Sequence, residues 1–196
     1  MVGIAIIGCG GIARNRHIPA LSMVPEARLA GFYNRTRARA EECASGFGGK
    51  VYESFEEVLS DPQVDAVVVC TAARSHCDYT VRALLAGKHV LCEKPMAVTA
   101  KDCEKMVEAA KKSGKKLMIS HNQRRYEPHR KAKELLEKGE IGRLLTFRTF
   151  LGIKGPEYAS VYGNNNAYFN KEESGRGVMS DVGSHRIDLM RWMTGA

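Results

Sequence analysis

Residues 3–13 read Gly3-Ile4-Ala5-Ile6-Ile7-Gly8-Cys9-Gly10-Gly11-Ile12-Ala13, and this stretch decides the fold. A short apolar run ending in a glycine cluster is how a strand buried on both faces of a parallel sheet enters a tight turn. The Gly-x-Gly-x-x-Ala spacing gives each small residue a task. Gly8 permits the turn, Gly10 lets the backbone approach a pyrophosphate, and Ala13 lets helix and strand pack closely. Gly11 and Ile12 open the helix, at the end where free amides and the helix dipole favour phosphate. A six-residue match alone is weak, but a strand before it and a helix after it make it specific.

Working outward, the same rhythm recurs. Apolar runs at 29–33, 66–70, 89–92 and 116–120 read as buried strands, and the amphipathic stretches between them are long enough for crossover helices. This is an α/β fold, a Rossmann-type doubly wound parallel sheet with helices on both faces. A helix over 99–113 has Thr99 and Asp102 as a capping box, Lys111 and Lys112 at its negative end, and Gly114 as its stop. After Ser120 the rhythm breaks. Positions 126–138 have helical spacing, 144–151 have strand character, 152–175 form a long functional loop, and 177–193 form a last helix. The expected division is 1–122 and 123–196.

With 44% hydrophobic and 27% charged residues the chain is an ordinary globular one, which excludes disordered and collagen-like classes. No apolar run approaches the ~20 residues of a membrane span and no basic leader precedes the first strand, so a cytoplasmic location is expected and a membrane partner is not. The net charge of +8 favours anionic ligands. Nucleic acid is not an expected partner: the basic cluster Lys111 to Lys116 lacks the interleaved aromatics that stack bases. The six cysteines form no Cys-x-x-Cys pair, and neither they nor the six histidines have metal-finger spacing. Reduced, hydrophobic thiols and no metal site are expected.

Three further segments carry chemistry. At the end of the second strand, where an acid would hold a ribose 2′-hydroxyl, stands Asn34-Arg35-Thr36-Arg37. An acid repels a 2′-phosphate. Asn34, Thr36 and the guanidinium of Arg35 or Arg37 can bind one, which favours NADP over NAD. The strand at 89–92 delivers Glu93-Lys94-Pro95 to the carboxyl end of the sheet, where ligands bind. Pro95 restricts Lys94, so the amine is held rather than free in solvent, as a proton-transfer group needs. Asp181 and His185, four apart in the last helix, share one face, where a carboxylate can orient an imidazole.

Taken together, the 8–13 turn, the 86–95 stretch with its Glu-Lys-Pro, the 121–128 segment and the Asp181-x-x-x-His185 pair resemble the signatures of the glucose-fructose oxidoreductase, inositol dehydrogenase and rhizopine-catabolism (GFO/IDH/MocA) family of NAD(P)-dependent oxidoreductases. The resemblance implies a second, partial α/β domain with an open, mostly antiparallel sheet, and a homo-oligomer, dimer or tetramer. It implies a catalytic trio of Lys94, Asp181 and His185, acting on a secondary hydroxyl or carbonyl of a sugar, polyol or related small molecule. Thr71, Ala72, His76, Glu93 and Arg124 are implied near the cofactor. Two departures stand out. The run Thr71-Ala72-Ala73 lacks the proline the family usually places after the threonine, and the chain stops at Ala196, where members usually continue, so a truncated second domain is expected. The competing reading is a non-catalytic NAD(P)-binding regulator of the same fold.

Overall fold

The computed structural model describes residues 1–152 and 177–196. Strand β1 (Val2–Ile7) is central. Its residues Ala5, Ile6 and Ile7 are wholly buried, because helices cover both faces of the sheet. Around it lie β2 (Ala27–Tyr33), β3 (Lys50–Val51), β4 (Ala66–Val69), β5 (His89–Cys92) and β6 (Leu117–Ile119), in the order β3-β2-β1-β4-β5-β6. Every pairing is parallel. The order reverses between β1 and β4, which makes the switch point where such sheets bind ligands.

Between the strands run α1 (Ile18–Ser22), entered through a π-helical turn at Ala13–His17, then α2 (Arg37–Phe47), α3 (Phe55–Ser60), α4 (Ala73–Leu85) and α5 (Ala100–Ser113). One core layer gathers Phe55, Val67, Leu84 and Met106, and the other Ile6, Ile18, Phe32 and Val68. Fully burying a side chain such as Phe55 or Phe32 contributes about 1.5–3 kcal/mol. Helix α5 starts and stops where the sequence signals it. Thr99 Oγ1 accepts the Asp102 N–H at 3.1 Å, and Gly114 takes the left-handed conformation at φ +67°. The capping box is incomplete, since the Asp102 carboxylate accepts from the Thr99 hydroxyl and from Lys105.

A 3-10 turn (Asn122–Arg125) leads from β6 to α6 (Glu127–Glu137), and a second π-helical turn (Met179–Gly183) leads into α7 (Ser184–Thr194). Two strand expectations change. β3 is an addition, too short to leave a period in the sequence. The strand expected at 144–151 does not form: those residues are irregular, because an extended segment becomes a strand only beside a hydrogen-bonding neighbour, and no described residue supplies one. For the same reason the described part of 123–196 contains no antiparallel sheet. The loop expected at 152–175 lies almost wholly outside the described residues. No helix among the described residues is long and apolar enough to cross a membrane.

Candidate active site

The register aligns the carboxyl ends of the strands. Ile7 pairs with Tyr33 and Val69, Val69 with Cys92, and Cys92 with Ile119. The next residues prolong the ladder by one bond each: Gly8 N–H donates to Tyr33 O at 2.8 Å, Cys70 to Ile7 at 2.7 Å, Glu93 to Val69 at 2.9 Å and Ser120 to Cys92 at 2.8 Å. Asn34, Gly8, Cys70, Glu93 and Ser120 therefore stand in one row along the sheet's mouth.

The two glycines of the turn differ. Gly8 has φ +93°, and a Cβ there would meet the Cys70 carbonyl carbon and oxygen at 2.9 Å. Only glycine satisfies both the conformation and the contact. A Cβ on Gly10 would meet nothing within 4 Å, so its exposed backbone borders open space. The first bond of the helix is Arg14 N–H to Gly10 O, at 3.1 Å, so the amides of Gly11, Ile12 and Ala13 have no intrahelical acceptor. Bare backbone at Gly10 and amides free to donate are what a dinucleotide diphosphate requires, and the residues fit the cofactor.

Asn34 secures this cradle. Its Oδ1 accepts the Cys9 N–H at 2.9 Å, and its Nδ2 donates to Thr36 O at 2.8 Å, so the side chain braces the turn. Arg37 is engaged by Glu41 and Glu53. Arg35 is exposed and makes no hydrogen bond or ion pair among the described residues, which leaves it as a cation available to an anionic ligand. Thr71 and Ala72 begin the loop after β4, with Thr71 Cγ2 close against Gly8. His76 lies behind this loop, 1% exposed, with its ring between the Pro95 and Thr71 carbonyls at 2.8 and 3.0 Å. Burial pushes its pKa down, and a neutral ring donates to one carbonyl at a time. It braces the loop and is shielded from any ligand.

Beyond β5, the Lys94 ammonium pairs with Asp181 Oδ1 and approaches the Asp181 carbonyl at 3.3 Å. Both side chains are largely buried. Lys94 and Asp181 are thus brought together from 87 positions apart in the chain, but the pairing within the trio differs from the sequence expectation. The π-helical turn at Met179–Gly183 interrupts the regular four-residue spacing, and Asp181 grips Lys94. His185 is left with a buried Nδ1 that has no hydrogen-bond partner. Burial first, and the Lys94 charge second, push the His185 pKa down to about 4, so the imidazole is neutral near pH 7.

Four residues carry more of the site than their sequence signal suggests. His17 Nε2 lies 2.7 Å from Glu93 Oε1, and Glu93 Oε2 accepts the Lys94 N–H at 3.0 Å. Burial pushes the Glu93 carboxyl up, but His17, the Ser120 hydroxyl and the Lys94 amide outweigh it and hold the group below the usual carboxylate range. His121 stands beside His185, its pKa lowered by burial, and faces Asp188 at 3.6 Å. Asp188 takes both donors of the Arg124 fork, so Arg124 is committed to fastening the 3-10 turn to α7. Of the four, only Glu93 was singled out in the sequence, as part of Glu93-Lys94-Pro95; the pairing of Asp188 with Arg124 spans 64 positions and leaves no local pattern.

A six-stranded parallel sheet with a glycine cradle at its switch point defines the class of dinucleotide-binding Rossmann proteins. Residues 2–121 match the family model described as "Oxidoreductase family, NAD-binding Rossmann fold", and residues 129–196 match the GFO/IDH/MocA C-terminal domain. The chain belongs to the GFO/IDH/MocA oxidoreductase family. It is 34% identical over 189 residues to 1,5-anhydro-D-fructose reductase of Ensifer adhaerens, covering 96% of this chain and 55% of that protein. It is 30% identical to myo-inositol 2-dehydrogenase of Thermotoga maritima, covering 98% and 54%. The chain therefore spans about half the length of these relatives. Among solved structures, aldose-aldose oxidoreductase of Caulobacter crescentus, complexed with glycerol, superposes with TM-score 0.83 at 32% identity, over 99% of this chain and 58% of that one. KijD10, a 3-ketoreductase of Actinomadura kijaniata in complex with NADP, gives 0.67 at 34%, over 72% and 45%.

Proposed function

We propose that this chain carries the cofactor cradle and the catalytic trio of an NAD(P)-dependent dehydrogenase or reductase, acting on a secondary hydroxyl or carbonyl of a sugar, polyol or related compound. The observation that carries this reading is the pairing of Lys94 with Asp181, beside a neutral His185, at the same sheet mouth as the glycine cradle. A nicotinamide, when bound, supplies the hydride acceptor or donor. The chain's own residues do the rest. Gly8, Gly10, Gly11, Ile12 and Ala13 form the diphosphate cradle. Arg35 beside the braced Asn34 and Thr36 meets a 2′-phosphate, which favours NADP. Lys94, held by Asp181, hydrogen-bonds the reacting oxygen, and neutral His185 accepts the hydroxyl proton in oxidation and returns it in reduction.

Residues 1–122 form the cofactor unit in this reading, and 123–196 belong to the substrate and assembly unit. The exposed apolar side chains Ile141, Leu145 and Phe150 lie in that second unit and fit association into a dimer or tetramer. The free, mostly buried thiols suit a reducing cytoplasm. The test is nicotinamide absorbance with NADP and NAD across sugars and polyols, for the wild-type protein and Lys94→Ala. General acid-base and positioning roles are worth about 10² to 10⁴ in rate, so Lys94→Ala should lose that much turnover while its NADPH affinity stays within about threefold. Cofactor binding without turnover on any such substrate would replace this reading with the regulator.

A further inference from the structure

The Glu93 carboxylate is buried beneath the end of β5. One oxygen meets His17, the last residue of the π-helical turn that follows the glycine cradle, and the other holds the backbone N–H of Lys94. Both side chains are shielded, 14% and 11% exposed. The Ser120 hydroxyl supports the same carboxylate from the end of β6. A single ionised group thus joins the helix that faces the diphosphate to the peptide that carries the reactive amine.

We propose that Glu93 is a positioning residue, and that the His17–Glu93–Lys94 bridge fixes the Lys94 ammonium in place relative to the helix that follows the glycine cradle. Charge-assisted hydrogen bonds are short and directional, roughly twice as strong as neutral ones, so this carboxylate fixes the peptide plane from which Lys94 departs. Lys94 is then held at two points, its N–H by Glu93 and its Nζ by Asp181. A long side chain with four rotatable bonds needs both ends fixed to keep its amine on one reacting atom. The first π-helical turn ends at His17, which holds Glu93, and the second contains Asp181, so one grip on Lys94 is braced by a widened helix turn and the other comes from one.

This inference rests on the proposed oxidoreductase reading, and its test separates the two. Glu93→Ala, Glu93→Gln and His17→Ala are compared with wild type for melting temperature, NADPH fluorescence titration, kcat and KM. Glu93→Ala should lower kcat about 30- to 100-fold with the NADPH dissociation constant within about threefold. Glu93→Gln keeps an acceptor for the Lys94 N–H and a polar partner for His17, and should recover kcat to within about threefold of wild type. His17→Ala should cost about tenfold, and the His17→Ala/Glu93→Ala double variant should be no worse than Glu93→Ala alone, as expected of residues acting through one bridge. An unchanged kcat in Glu93→Ala, or equal losses in Glu93→Ala and Glu93→Gln, would overturn the proposal. So would a loss confined to NADPH affinity. If the wild type turns over no hydroxylated substrate, the function fails by itself, and the bridge is then read from acetylation of Lys94 by acetic anhydride, mapped by mass spectrometry. The bridge predicts acetylation several-fold faster in Glu93→Ala than in wild type or Glu93→Gln; equal rates in all three would refute it.

Discussion

The side chains that shape the glycine turn have partners within the chain. Asn34 braces Cys9, Gly8 packs on Cys70, and Arg37 is paired twice. Around Lys94 the arrangement is different. Its charge is held by a residue 87 positions away, and the neighbouring His185 and His121 each keep a buried Nδ1 without a hydrogen-bond partner. Buried polar atoms without partners are costly, about 1–3 kcal/mol each. Proteins tolerate such atoms where a ligand will supply the missing bond. The framework of the first region is finished by the chain alone, with only the backbone of Gly10 to Ala13 left for a ligand, whereas in the second the side chains themselves are left to be completed.

The sharpest way to break this contrast is at His185. Its replacement by Ala should lower turnover by about 10² to 10⁴ while leaving NADPH affinity nearly unchanged. In the wild type, the acid limb of kcat/KM should fall near pH 4, where His185 titrates in the free protein, rather than near its ordinary 6.5. The stability consequence has a definite sign. The ring binds its proton more weakly in the fold than in the unfolded chain, so its contribution to stability is full above pH 6.5 and is lost as pH falls towards 4. Melting temperatures from pH 7 to pH 4.5 should therefore fall less steeply in His185→Asn than in wild type.

Gly8 tests the finished region. Gly8→Ala meets both a positive φ and backbone at 2.9 Å, and should cost about 2 kcal/mol or more, a fall of several degrees in melting temperature. The smallest effects are expected at the rim. Arg35→Ala should reduce the preference for NADPH over NADH about tenfold, the worth of one charge-assisted contact. Arg37→Ala, whose guanidinium is taken by Glu41 and Glu53, should change that preference by about twofold or less. Equal effects at the two arginines would show that the ion pairs of Arg37 do not withdraw it from the site.

The finished region was also the legible one. Glycine spacing, apolar runs and the Thr99 and Gly114 signals are local chemistry, and each fell where the sequence puts it. β3 escaped because two residues carry no period. The 144–151 segment has strand composition, but a strand is a relation between two segments and composition reports only one. Lys94, Asp181 and His185 were visible as residues, whereas their pairing was not. The π-helical turn that directs Asp181 to Lys94 has no sequence pattern, and the His17–Glu93 contact joins positions 76 apart.

The central claim is that open backbone at Gly10 receives a dinucleotide diphosphate beside Lys94, and titration of NADPH fluorescence against wild type and Gly10→Asp tests it most directly. A Cβ at Gly10 meets nothing within 4 Å and Gly10 has no positive φ, so the variant should melt with the wild type. It should also lose about 100-fold or more in affinity, because a carboxylate then occupies and repels the diphosphate site. Saturable NADPH binding of equal strength in both proteins would contradict the account.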